Sequence, residues 1–211
     1  MGTQTKGPLG GFSGKTGPLI GVISKGKNII TSLHTKSKKV TQKQLDQRAK
    51  FGLITSLLGY VGDLIDIGFH EHSTDTSPMN AAVSYNLKYA VTGISPDFDI
   101  NLPMLSFSRG KLTAPRGVDV QPVIGAKITF SWMDTGETKF SKPTDPLMIM
   151  VYNPSKNEFV TSIAATTRSA LSYTLQLPAD FTPDEVHCYL SFARADGKVS
   201  DSVYVGAHNV L

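Results

Sequence analysis

VHCYLSF, residues 186–192, puts Val186, Cys188, Leu190 and Phe192 on one side of an extended chain and His187, Tyr189 and Ser191 on the other. A strict period of two marks a strand with one face in a core. Asp196-Gly197 just downstream is a two-residue hairpin signal leading into Val199–Val205. Upstream, Leu147 to Tyr152 is continuously apolar, as a central strand is, and Asn153-Pro154-Ser155-Lys156-Asn157 turns it into Phe159–Ile163. Ile128, Phe130 and Trp132 alternate, as do Tyr173, Leu175 and Leu177, and Phe98, Ile100 and Leu102. About seven short strands with turns at this spacing predict an antiparallel immunoglobulin or fibronectin type III-like β-sandwich over residues 104–211. The lone Cys188 excludes the inter-sheet disulfide and so favours the fibronectin-like variant. This sandwich is expected to fold by itself.

Two helices are expected before it, over a region spanning 41–103. Thr41 and Gln44 make a capping-box pair, and Leu45, Ala49, Leu53 and Leu57 recur at helical spacing. Phe51, Ile54 and Leu58 widen the apolar face, which predicts a well-covered helix ended by Gly59 and Gly62. Ser77-Pro78 opens the second helix, with Met79, Val83, Leu87 and Val91 as its buried stripe and Gly93 as its stop. Residues 1–40 form a glycine-rich basic arm. In it Leu19–Ser24 and Asn28–Leu33 are joined by Lys25-Gly26-Lys27 into a β-hairpin with no third strand nearby in sequence. The fold class is therefore α+β, mainly β.

Charge is polarised along the chain. Residues 1–50 hold ten Lys/Arg against Asp46 alone, a net +9, while residues 51–211 hold eleven basic and sixteen acidic groups, a net −5. Such asymmetry attracts either a polyanion or the acidic side of another copy.

Several short signals point to chemistry and fall short of it. GFSGKT at 11–16 is part of a phosphate-binding loop, but Leu9 stands where the first glycine belongs, and Pro18 follows where a helix should start. His70, His72 and Asp75 carry metal-ligating atoms without a convincing third spacing, so no metal or cofactor is expected. Asp63 and Asp66 suit water or a cap better than paired acid–base work, and His187 and His208 are expected at the surface. No serine sits in a nucleophile elbow, and no histidine pairs with Cys188 by any sequence argument; no catalytic residue is assigned. No run approaches the roughly eighteen apolar residues of a membrane helix. Met1 to Lys6 leads into glycines rather than a signal-like apolar run, so location stays open between an extracellular assembly and a virion component.

FSGKTG at 12–17, QLDQRAKF at 44–51, NAAVSYNLKYAVTG at 80–93, SRGKL at 108–112, YNPSKNE at 152–158 and DGKVSDSVYVG at 196–206 together resemble a family of Bacteroidota and phage-associated proteins without assigned activity. The resemblance implies architecture and a bacterial or phage origin, and it transfers no functional residue.

The functional expectation is a structural subunit that assembles with copies of itself, as a filament, surface appendage or virion component. Ile20, Val22, Ile23, Ile29 and Ile30 of the arm would make the apolar contacts by strand addition, with Lys25, Lys27, Lys36, Lys38 and Lys39 guiding them electrostatically. Two alternatives remain open: an adhesion or ligand-binding module using the sandwich loops, and a sequence-nonspecific polyanion-binding protein.

Overall fold

A computed structural model describes residues 2–3, 11–24, 26–33, 40–72 and 76–211. The chain divides into two compact units, Met1–Gln42 and Lys43–Leu211.

The first unit is a four-stranded antiparallel sheet of β1 (Gly2–Thr3), β2 (Gly14–Thr16), β3 (Leu19–Ser24) and β4 (Lys27–Ser32), in the order β1-β4-β3-β2. The expected hairpin is β3–β4, turning at Gly26 with φ +73°. It is not bare, however. β2 pairs with β3 from Gly14↔Gly21 to Thr16↔Leu19, and β1 pairs with β4 at Gly2↔Ile30 and Thr3↔Ile29. Gly21 is obligatory here, because a Cβ on it would lie 2.3 Å from the Phe12 carbonyl oxygen and 2.7 Å from the Phe12 ring.

The second unit opens with α1 (Gln42–Gly59), α2 (Gly62–Gly68) and α3 (Pro78–Tyr89). α1 starts and stops where its sequence signals lie, but Gly62 begins a further helix rather than ending the first. The chain turns through 94° between α1 and α2, and this buries Val61, Leu64 and Ile65. The cover expected along all of α1 is confined to its second half. Ile54, Leu57 and Leu58 are buried, whereas Leu45 and Phe51 are exposed. No single helix among the described residues is long and apolar enough to cross a membrane. At α3 the Ser77 hydroxyl accepts from the Asn80 N–H at 3.2 Å, with Pro78 in the first turn. α3 ends at Tyr89, so Val91 belongs not to its buried stripe but to a small hairpin, β5 (Val91–Ile94) and β6 (Asp97–Ile100).

Seven strands follow: β7 (Asp119–Val123), β8 (Lys127–Ser131), β9 (Pro146–Asn153), β10 (Glu158–Thr167), β11 (Ser172–Gln176), β12 (Glu185–Phe192) and β13 (Val203–Asn209). They form two antiparallel sheets, β11-β8-β7 and β10-β9-β12-β13. The fourth strand, β10, joins the sheet of β9 instead of crossing to the other, which is the fibronectin type III arrangement of a sandwich. Ile128, Phe130 and Trp132 meet Leu147, Ile149, Val151, Val186, Cys188, Leu190 and Phe192 between the sheets.

The other face of the four-stranded sheet is also buried. Met148, Met150, Tyr152 and Tyr189 form one core with Ile54, Leu58, Leu64, Ile65, Phe69 and Val83 of the helices. The second unit is thus three layers deep, helices on sheet on sheet, and the helices share a core with the sandwich rather than standing as a region of their own. Polar groups register the layers. The fully buried Asn86 donates to the carbonyls of Ala82 and Ser106 at 2.9 and 2.8 Å, and it accepts from the Ser106 N–H at 2.9 Å. The Tyr189 hydroxyl donates to the Leu102 carbonyl at 2.8 Å. Gly68 permits the closest approach, since a Cβ there would sit 2.1 Å from the Phe107 carbonyl oxygen.

Cys188 faces the inter-sheet core with no exposed surface, and burial pushes its thiol up to about 12. Its thiolate is scarce at neutral pH, so a thiol reagent is expected to label the protein only after denaturant is added. Cys188→Ser is expected to cost about 1–3 kcal/mol, for burying a hydroxyl without a partner. Rapid labelling of native protein would contradict this strand register.

Candidate functional site

The arm residues named from sequence fall on two different faces of the first unit's sheet. Side chains directly opposite each other share a face, so Lys15, Ile20, Val22, Ile29 and Thr31 lie together. Leu19, Ile23 and Ile30 lie on the other face with Gly21, over which Phe12 is folded. Lys15 and Lys27 are exposed, while Lys25, Lys36, Lys38 and Lys39 lie outside the described residues.

Within this unit no described apolar side chain reaches full burial. Ile20, Ile29 and Ile30 are half-buried, and Leu19, Val22, Ile23 and Leu33 are exposed, Ile23 at 57%. The sheet forms because its hairpin is dense in β-branched residues that pair well across strands. It has only one layer, whereas a stable sheet normally buries a face against another. The unit therefore offers two apolar sheet faces, one of them carrying the exposed Lys15.

The remaining sequence signals resolve as follows. Gly14–Thr16 of the glycine-rich segment is a strand with a tight turn behind it, a geometry that does not cradle a phosphate. His70, Glu71 and His72 form one turn of 3₁₀-helix, and Asp75 lies outside the described residues. Among the described residues no three of His, Cys, Asp and Glu gather in a metal-holding arrangement. Asp63 and Asp66 are exposed along α2. His187 is not at the surface as expected. Its side chain is 13% exposed, its Nδ1 lies 2.9 Å from the Tyr204 hydroxyl, and the two rings stack at 5.9 Å. Burial lowers its pKa, opposed by the nearby Glu185 carboxylate. His208 is half-buried, with Nε2 3.3 Å from the Val205 carbonyl oxygen.

Sequence reasoning passed over two groups. One is the buried Asp145–Arg168–Arg194 cluster, whose members are far apart in the chain. The other is Tyr85, Lys88 and Tyr89 on α3, which lie off its apolar stripe; the four-residue spacing of Ala81, Tyr85 and Tyr89 is the signal the sequence holds.

Comparison with solved structures finds likeness to fibronectin modules over about half of the chain. The chicken CNTN1 FN1–FN3 domains match at 13% identity and a TM-score of 0.37, covering 49% of this chain and 33% of that one. The FN5 domain of Drosophila Lar matches at 15% identity and a TM-score of 0.32, covering 46% and 92%. The matched region thus spans about a third of the chicken fragment and nearly all of the single Lar domain. No match is found among curated proteins. The family model described as "Family of unknown function (DUF6266)" matches residues 11–206, from the first turn of the arm into the last strand of the sandwich, and the chain belongs to that family.

Proposed function

We propose that the protein is a non-enzymatic structural subunit that assembles with copies of itself through its N-terminal sheet. The observation that carries this reading is the single-layered arm sheet, rich in β-branched side chains and without a buried apolar residue of its own among those described. A sheet of this kind gains stability from a second layer, and each isoleucine taken from exposed to buried contributes about 1.5–3 kcal/mol.

Both edges of the β3–β4 hairpin already carry strands of the same chain, so strand addition would use the outer edges of β1 and β2. Packing on a face of the sheet is the contact the exposed apolar side chains favour. Two copies of the Lys15 face set against each other would bring like charges together, so the occupant is the acidic surface of residues 51–211 on a neighbouring copy, with its net −5. Such a contact joins two different patches and is therefore heterologous; repeated head to tail, it builds a ring or an open polymer.

Deleting residues 1–35 is expected to leave a folded, monodisperse protein, while the full chain scatters light as large assemblies. Val22→Lys and Ile23→Lys probe the two faces separately. Only Val22→Lys, on the face of Lys15, is expected to abolish scattering. Raised salt should slow assembly without dissolving it, since apolar contacts are not screened. Assembly of the truncated protein as readily as the intact one would show that the arm does not join subunits.

A further inference from the structure

A groove of about 400 Å³ runs along α3, within the size range of small-molecule sites. Two parallel rows of side chains line it at four-residue spacing. Asn80, Ser84 and Lys88 form a polar row about 12 Å long, at 1.5 Å of rise per residue. Ala81 and the rings of Tyr85 and Tyr89 form a second row beside it. The Arg109 guanidinium lies 4.5 Å from the Tyr85 ring centre and donates to the Tyr85 hydroxyl. The Lys88 ammonium lies 5.0 Å from the Tyr89 ring centre.

The charges are unequal. Arg109 is partly neutralised by Asp201 at 3.3 Å, while none of the ion pairs among the described residues involves Lys88. Lys88 is exposed at one end of the groove, and with Arg109 it lines the groove with two cationic side chains. Tyr89 is 43% exposed, an amphipathic ring held ready for contact.

The ring geometry selects the ligand. Tyr85 and Tyr89 lie 4.6 Å apart but tilted by 41°, and Arg109 already covers Tyr85. The two rings touch each other, so no flat nucleobase is clamped between them, and Tyr89 is the ring left with an open face. The C–H face of a puckered sugar ring fits that face. Asn80 and Ser84 then face its hydroxyl groups as both donors and acceptors, and Lys88 and Arg109 take a carboxylate.

We infer that the α3 groove binds a short acidic saccharide, with Tyr89 under a sugar ring and Lys88 and Arg109 on the carboxylates. The site is separate in residues from the arm sheet, and either can fail without the other.

Calorimetric titration of the full chain with α-1,4-linked trigalacturonic acid tests it, with maltotriose as the neutral comparison and adenosine monophosphate as the flat one. Saturable binding of the acidic trimer, tighter than about 1 mM and tighter than either comparison, is expected. Lys88→Ala and Tyr89→Ala, both at exposed positions, should each weaken it roughly tenfold or more with unchanged thermal melting. Failure of the acidic trimer to bind, equal binding of maltotriose, tighter binding of adenosine monophosphate, or unaltered affinity in both variants would overturn the inference.

Discussion

Asp145→Ala is expected to destabilise the protein by about 3–5 kcal/mol, the cost of leaving a buried charge without its partner. The Asp145 side chain has no exposed surface and lies between two arginines. The Arg194 Nε donates to Oδ1 at 2.7 Å and its Nη2 to Oδ2 at 3.0 Å, a two-pronged contact that raises the Arg194 pKa. The Arg168 Nε stands 3.5 Å from Oδ2, an ion pair without a hydrogen bond. Arg168 is itself only 3% exposed, and burial lowers its pKa while Asp145 opposes that shift. Its guanidinium also lies 3.8 Å from the Phe192 ring centre and donates to the Thr113 carbonyl at 2.9 Å, contacts that hold it in place. Without Asp145 this buried cation loses the carboxylate that pairs with it, leaving the more distant Asp134, and the Lys142 N–H loses its 2.8 Å acceptor. Such a loss is a large part of the roughly 5–15 kcal/mol that holds most domains folded. A urea titration followed by Trp132 fluorescence reads it directly, because the Trp132 indole donates to the Arg168 carbonyl at 2.8 Å. The midpoint should fall with an unchanged slope. A midpoint close to that of the intact protein would mean the cluster adds little to stability.

The second large effect concerns the helical layer. A fragment of residues 104–211 is expected not to give a soluble, cooperatively melting protein, which reverses the expectation drawn from the strand pattern alone. Removing the helices uncovers Met148, Met150, Tyr152 and Tyr189, each 8% exposed or less in the whole chain. Each fully buried side chain of this size contributes about 1.5–3 kcal/mol, so losing four removes about 6–12 kcal/mol, comparable with the roughly 5–15 kcal/mol that holds a domain folded. The uncovered face also makes a contiguous apolar patch of the kind that drives aggregation. Two polar anchors go with it, Asn86 onto Ser106 and Leu102 onto the Tyr189 hydroxyl. Residues 43–211, by contrast, should unfold in one transition, because helices and sheets share a core. A monomeric 104–211 fragment with a sharp thermal transition would show that the helices decorate the sandwich without completing it.

The sequence by itself determined what depends on neighbours along the chain. The alternation through Val186, Cys188, Leu190 and Phe192 set the strand and its inward face, since successive side chains of an extended backbone must point to opposite sides. Ser77-Pro78 set the start of α3 through a hydroxyl that reaches the Asn80 N–H and a ring already shaped for a first turn. The unbroken run Leu147–Tyr152 announced a strand buried on both sides, but not what buries it. Only the tertiary structure decided that the helices cover its second face, because that choice rests on contacts between residues about 60–100 positions apart. The same holds for Asp145 with Arg168 and Arg194, which carry no shared spacing, and for β1 and β2, too short to read as strands until β3 and β4 offer an edge to pair. Gly62 was ambiguous for a local reason: glycine serves both ends of a helix, and only the burial of Leu64 and Ile65 against the sheet made it a beginning.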